Sequence, residues 1–139
     1  MNRSRPLLLI EDDEVDAMTV KRALEDLGLG DCIVHLSNGV DGLEYLRSHL
    51  EELPRLILLD LNMPRMSGLE FLKELKSDPD LMGVPVVVLT TSKEAADVQG
   101  TFHYGVAGYM VKPLDYADFV QVMGAITRYW DLSATPAKV

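Results

Sequence analysis

Apolar residues fall along the chain in two registers. Unbroken apolar runs occur at 7–10 (LLLI) and 56–59 (LILL), with a third at 85–90 that closes on Thr90 and a shorter stretch at 32–36 interrupted by His35. Runs of this length, bounded by turn or charged residues, are what strands buried on both faces look like. Between them apolar residues recur three and four positions apart, the period of a helix with one inward stripe. The stripes are Ala17, Val20, Leu24 and Leu27; Val40, Leu43, Leu46 and Leu50; and Leu69, Leu72 and Leu75. Asp13 is placed to cap the first helix, and Gly28 and Gly30 to close it. The second runs from about 39 to 52 and ends at Pro54. Ser67 and Glu70 form a capping box for the third, each satisfying an orphan backbone N–H, and Pro79 stops it. A fourth helix, about 93–104, is weak: it offers Val98 and Phe102 and little else, and Gly100 inside it costs ~1 kcal/mol relative to Ala. A short strand at about 106–111 and a last helix at about 116–130 complete the pattern. Five strands alternating with five helices predict a parallel α/β sheet with a helix in each crossover.

The strands end in reactive groups. The first run leads into Glu11 and Asp12, the third strand into Asp60, the fourth into Thr90 and the fifth into Lys112. In an open parallel sheet ligands bind just beyond the carboxyl ends of the strands. Asp60 could instead be a turn or capping aspartate, but Ser67 already caps the next helix. Two carboxylates about 4 Å apart repel by roughly 4 kcal/mol at an effective dielectric of about 20, and three repel more. A hard divalent cation with oxygen ligands relieves this, and Mg2+ suits a site with few direct carboxylates. No His or Cys accompanies these strand ends, so zinc does not fit. A carboxylate nucleophile, a cation and a lysine together suit phosphoryl transfer onto Asp60, with Thr90 donating to a phosphoryl oxygen.

Composition narrows the setting. The chain has 139 residues, enough for one domain with a real core, and 47% of them are apolar. No apolar run approaches the ~18 residues of a membrane span, and MNRSRP ahead of the first strand leaves no room for a signal peptide. Cys32 is the single cysteine, so no internal disulfide forms and a cytoplasmic setting is expected, with Cys32 as a small core residue. The formal charge of −9 repels phosphate backbones and argues against direct nucleic-acid binding.

The residues ED at 11–12, DLNMPRMSG at 60–68, VVVLTTS at 86–92 and GYMVKP at 108–113 resemble the receiver domain of two-component response regulators, along nearly the whole chain. That resemblance implies a doubly wound (βα)5 flavodoxin-like receiver fold with a parallel five-stranded sheet in the order 2-1-3-4-5. It implies Asp60 as phosphoacceptor from a sensor histidine kinase and Mg2+ bound by Asp12 and Asp60. Glu11 would act through water and Asn62 would contribute its backbone carbonyl. Lys112 would be the phosphate-binding cation and Thr90 and Tyr109 a switch pair. In the family the bond before the proline of the Lys-Pro pair is usually cis, whereas X–Pro statistics alone give cis only about 5–6% of the time. Glu11 stands where many members have Asp, and Thr91 where many have Ala, adding bulk beside the phosphate.

Two rivals share parts of this arrangement. A haloacid-dehalogenase-type phosphohydrolase uses a strand-end Asp with Mg2+, but it needs a second Asp where this chain has Asn62. An FMN binder of the flavodoxin type would meet Glu11, Asp12, Asp13 and Glu14 where it needs a phosphate loop. The chain therefore reads as a phosphoacceptor rather than an enzyme. His35, His49 and His103 are expected to be solvated, and Asp13 and Glu14 to favour a helix N-terminus.

The last helix carries FVQVMGAIT, residues 119–127, without a charge. Phe119, Val122, Ile126 and Tyr129 are expected to face the sheet, leaving Tyr116, Val120, Met123 and Trp130 as a second stripe that pairs two copies into a homodimer. Residues 1–131 form the receiver domain and 132–139 a tail too short to be an output domain. Output would then pass by protein contact or by relaying the phosphoryl group to another protein's histidine. YWDLSATP resembles the tail of stand-alone regulators paired with bacterial phytochromes.

Overall fold

Strands β1 (Leu7–Ile10), β2 (Ile33–Leu36), β3 (Leu56–Leu59), β4 (Val86–Thr90) and β5 (Gly108–Val111) pair in parallel in the order β2-β1-β3-β4-β5. The computed structural model of the chain describes residues 5–132, apart from the Cys32 side chain. The expectation for Cys32 as a core residue lies outside the described residues, as does that for the tail 132–139 except at Leu132, which ends the last helix instead.

Helices α1 (Glu14–Asp26), α2 (Gly39–Ser48), α3 (Gly68–Ser77), α4 (Ala95–His103) and α5 (Tyr116–Leu132) fill the crossovers. Because successive strand residues point to opposite faces, the central strands feed two cores at once. Leu8, Ile10, Ile57, Leu59, Val86 and Val88 pack on one side with Leu43, Leu46, Phe71, Leu72 and Leu75. Leu7, Leu9, Leu56, Leu58, Val87 and Leu89 pack on the other with Ala17, Val20, Leu24, Phe119, Met123 and Ile126. Double burial explains why these strands contain no polar residue until they end.

The caps expected at Asp13 and Ser67 form, and Asn38 supplies one that sequence reasoning missed. Asp13 accepts from the Asp16 backbone N–H, Asn38 from Asp41, and Ser67 from Glu70. The second helix ends earlier than expected: α2 stops at Ser48 and a 3-10 turn covers Leu50–Glu52, leaving Leu50 exposed. Phe71 belongs to the inward face of α3, and α4 is the least anchored helix, with Thr101 its one buried residue. The Lys112–Pro113 bond is trans.

The phase of α5 corrects one expectation. Met123 is fully buried, whereas Tyr129 is 62% exposed. The inward line is Phe119, Met123, Ile126 and Thr127, with Tyr116, Val120, Val122 and Trp130 half-buried along its rims. Two apolar stripes on the uncharged stretch 119–126 leave the helix free to choose its seam, and the four–three spacing from Phe119 to Ile126 wins over the three–four spacing. Thr127 joins the core because its hydroxyl donates to the Met123 carbonyl at 2.9 Å.

Candidate functional site

Register brings the strand ends together. Ile10 pairs with Leu59, Leu59 with Val88, and Thr90 with Val111, so the residues that follow emerge along one edge of the sheet. The ladder continues past the strands: Glu11 N–H donates to Leu36 O at 3.1 Å, Asp60 N–H to Ile10 O at 3.0 Å, and Lys112 N–H to Thr90 O at 2.8 Å. The backbones of the three charged residues are therefore fixed by the sheet itself.

The loop from Asp60 to α3 is equally constrained. Gly68 N–H donates to Leu61 O at 3.0 Å, and a Cβ on Gly68 would lie 2.8 Å from the Leu61 Cα and 3.0 Å from the Asp60 carbonyl. Only glycine lets α3 begin so close to the phosphoacceptor candidate. Arg65 adopts φ 67°, a left-handed turn between Pro64 and Met66.

Glu11 and Asp60 are buried, Asp12 is exposed, and one ligand oxygen from each can lie within 4.8 Å of the others. Glu11 Oε1 accepts from Lys112 Nζ at 2.6 Å, and Asp16 Oδ2 accepts from the same ammonium at 3.2 Å. Burial pushes the Glu11 carboxyl up to about 7; Lys112 pulls it back and the Asp60 charge raises it again. Burial likewise raises Asp60, against a hydrogen bond with Glu11 and the Lys112 charge, while Asp12 adds to the rise. The Asn62 backbone N–H also favours ionised Asp60. Burial pulls Lys112 down, but Glu11, Asp60 and Asp16 outweigh it and hold the ammonium above its ordinary value.

Two acids whose ionised forms are disfavoured first by burial and then by neighbouring carboxylates, beside a third at the mouth, fit a divalent cation with oxygen ligands. All three donors are hard oxygens, and the exposed Asp12 leaves an open side for water or phosphate.

The remaining expected residues converge on the loop after β4. Thr90 is fully buried, and its Oγ1 accepts from Ser92 N–H at 3.3 Å. The Tyr109 hydroxyl donates to Ser92 O at 2.9 Å. Thr91 is exposed and lines a hollow of about 430 Å³ with Lys112, Pro113 and Asp16. Three residues near the site escaped sequence reasoning. Asp16 lies in the first turn of α1, and only the way that helix packs brings it to Lys112. Ser92 links Thr90 and Tyr109 through its backbone. His35, expected to be solvated, is half-buried, and its Nε2 meets the Glu11 carbonyl at 2.8 Å. Its signal is its place in β2 beside Leu9.

The family profile of the response regulator receiver domain matches residues 7–123. The chain belongs to that family. It is a receiver domain of the two-component response regulators, whose receivers are in general phosphoacceptors rather than enzymes. Among curated relatives, the probable methanogenesis regulatory protein FilR2 of Methanothrix harundinacea is 39% identical over 127 residues, 89% of this chain and 82% of its own. Response regulator Rcp1 of Synechocystis is 34% identical over 133 residues, 93% of this chain and 90% of its own. Among solved structures, the phosphorylated cyanobacterial phytochrome response regulator RcpA superposes with a TM-score of 0.86 at 33% identity, covering 95% of this chain and 98% of that one. The Mn2+-bound form of Rcp1 gives 0.83 at 33% identity, covering 96% and 99%. Receivers bind divalent metal, and the acidic cluster of this receiver fits one.

Proposed function

We propose that this receiver accepts a phosphoryl group on Asp60 from a sensor histidine kinase with Mg2+, and that the modification switches a protein-interaction surface. The observation that carries this reading is the buried Asp60 carboxyl set between Glu11, Asp12 and Lys112 at the carboxyl end of β3. One Asp60 carboxylate oxygen gives an electron pair to the phosphorus of a phosphohistidine. The P–N bond breaks, and its electron pair stays on the imidazole nitrogen. Asp12, Asp60, Glu11 through water and the Asn62 carbonyl would hold Mg2+, which supplies positive charge to the phosphoryl oxygens. Lys112 adds a second positive charge and Thr90 a hydroxyl donor.

Thr90 and Tyr109 both bond to Ser92. A new bond from the Thr90 hydroxyl to a phosphoryl oxygen, worth about 1.5–3 kcal/mol, shifts a two-state equilibrium by roughly ten- to a hundredfold. That bond would pull on the loop that anchors Tyr109, which supports the pair as the switch. Tyr116, Val120 and Trp130 on the rim of α5 supply the homodimer surface, beside an apolar groove of about 400 Å³ between β5 and α5. The similarity to Rcp1 and RcpA supports a bacteriophytochrome-type kinase as donor. The single cysteine and the charge of −9 support a cytoplasmic protein that does not bind nucleic acid directly. No helix among the described residues is long and apolar enough to cross a membrane.

Transfer of labelled phosphate from such a kinase tests the reading. Label should reach the wild-type receiver with Mg2+ and fail to reach it in EDTA or on Asp60→Asn. Equal labelling of the variant would remove Asp60 from the role.

A further inference from the structure

Lys112 Nζ is shared by two carboxylates, Glu11 Oε1 at 2.6 Å and Asp16 Oδ2 at 3.2 Å. The two acids differ in their other duties. Glu11 belongs to the acidic cluster that fits a divalent cation, and its side chain is 2% exposed. Asp16 lies outside that cluster, with a side chain 46% exposed. Its position is nevertheless set, because its backbone N–H donates to the capping carboxylate of Asp13 at 3.0 Å. Arg22, the other cation lining the same hollow, lies over the Tyr116 ring at 4.5 Å.

Glu11 cannot give its charge fully to Lys112 and to a divalent cation at once. Lys112 has its backbone pinned to Thr90, so only its side chain can respond. We infer that Asp16 is a positioning residue: it holds the Lys112 ammonium at the mouth of the site when Glu11 turns to the cation. Asp16 supplies a counter-charge from α1, so the cation enters without leaving Lys112 unpaired opposite a second positive charge. The inference rests on the cation and lysine roles proposed above.

Mg2+ affinity, measured by isothermal titration on the full chain, tests it. Asp16→Asn should weaken Mg2+ binding by roughly five- to tenfold, the size of one partly exposed charge-assisted hydrogen bond. Asp16→Glu should restore most of it. Glu14→Gln, which removes an equal charge from the same turn without touching Lys112, should change affinity by less than about twofold. In a Lys112→Met background Asp16→Asn should have no further effect, since neighbours that act through one another are not additive. An equal effect of Asp16→Asn and Glu14→Gln, or an Asp16 effect that survives in Lys112→Met, would overturn the positioning role and leave the cation site standing. Absence of Mg2+ binding by the wild-type chain would overturn the cation reading, and this one with it.

Discussion

Glu11 holds opposing demands in one side chain. Its backbone extends the sheet, its carbonyl meets His35, and its carboxylate faces Lys112 and Asp60 while nearly out of water. Its carboxyl titrates at about 7 in the fold against 4.5 ordinarily, with burial the main cause. The native state therefore binds more protons than the unfolded chain between those values. The associated stability is fully present below the ordinary value and is lost as pH rises through about 7. Asp60, raised by the same burial, acts in the same direction. Without metal, the melting temperature should fall between about pH 5 and pH 8, and Mg2+ should restore more of it at the upper end, because the cation binds the deprotonated acids. Glu11→Gln should flatten the curve. Thermal melts in EDTA and in Mg2+ at several pH values would show this, and a melting temperature indifferent to pH in EDTA would contradict it. At this scale the sequence announced Glu11, Asp60, Thr90 and Lys112, because each is the first polar group where an apolar strand ends, and Asp12 as the acid directly behind Glu11. Asp16 and His35 carry no such mark, since what they touch depends on how α1 and β2 lie against the sheet.

Elements were legible where packing left one choice. The runs 7–10 and 56–59 are strands to the residue, because a segment apolar on both faces has to be buried on both. The capping residues Asp13 and Ser67 mark helix starts for a reason local to the chain. In α5 the local signal runs out: FVQVMGAIT carries no charge and apolar residues on more than one face, and the seam is decided by the surfaces of α1 and the sheet rather than by spacing. The observed phase makes Met123 a core residue and Tyr129 a surface one. Met123→Ala should cost about 2–5 kcal/mol in urea unfolding, as buried truncations do. Tyr129→Glu, on the exposed side, should cost no more than about 0.5 kcal/mol. Equal destabilisation by the two would contradict this phase of α5.

For the whole molecule, the order β2-β1-β3-β4-β5 turns separate strand ends into one site. No single run specifies that order; the resemblance to receivers did, since the pairing of β1 with β3 spans the intervening β2 and two helices. The assembled site explains why a chain of charge −9 gathers three acids at one edge: a divalent cation there would offset the burial and mutual repulsion that raise Glu11 and Asp60, and would then balance the negative charge of a phosphoryl group. The role proposed for the whole site is acceptance of a phosphoryl group on Asp60, dependent on the cation. Intact-protein mass spectrometry after treatment with acetyl phosphate tests it most directly. The wild-type chain with Mg2+ should gain the mass of one phosphoryl group, and the mass should stay unchanged in EDTA or with Asp60→Asn. An unchanged wild-type mass with Mg2+, or the same gain on Asp60→Asn, would contradict it.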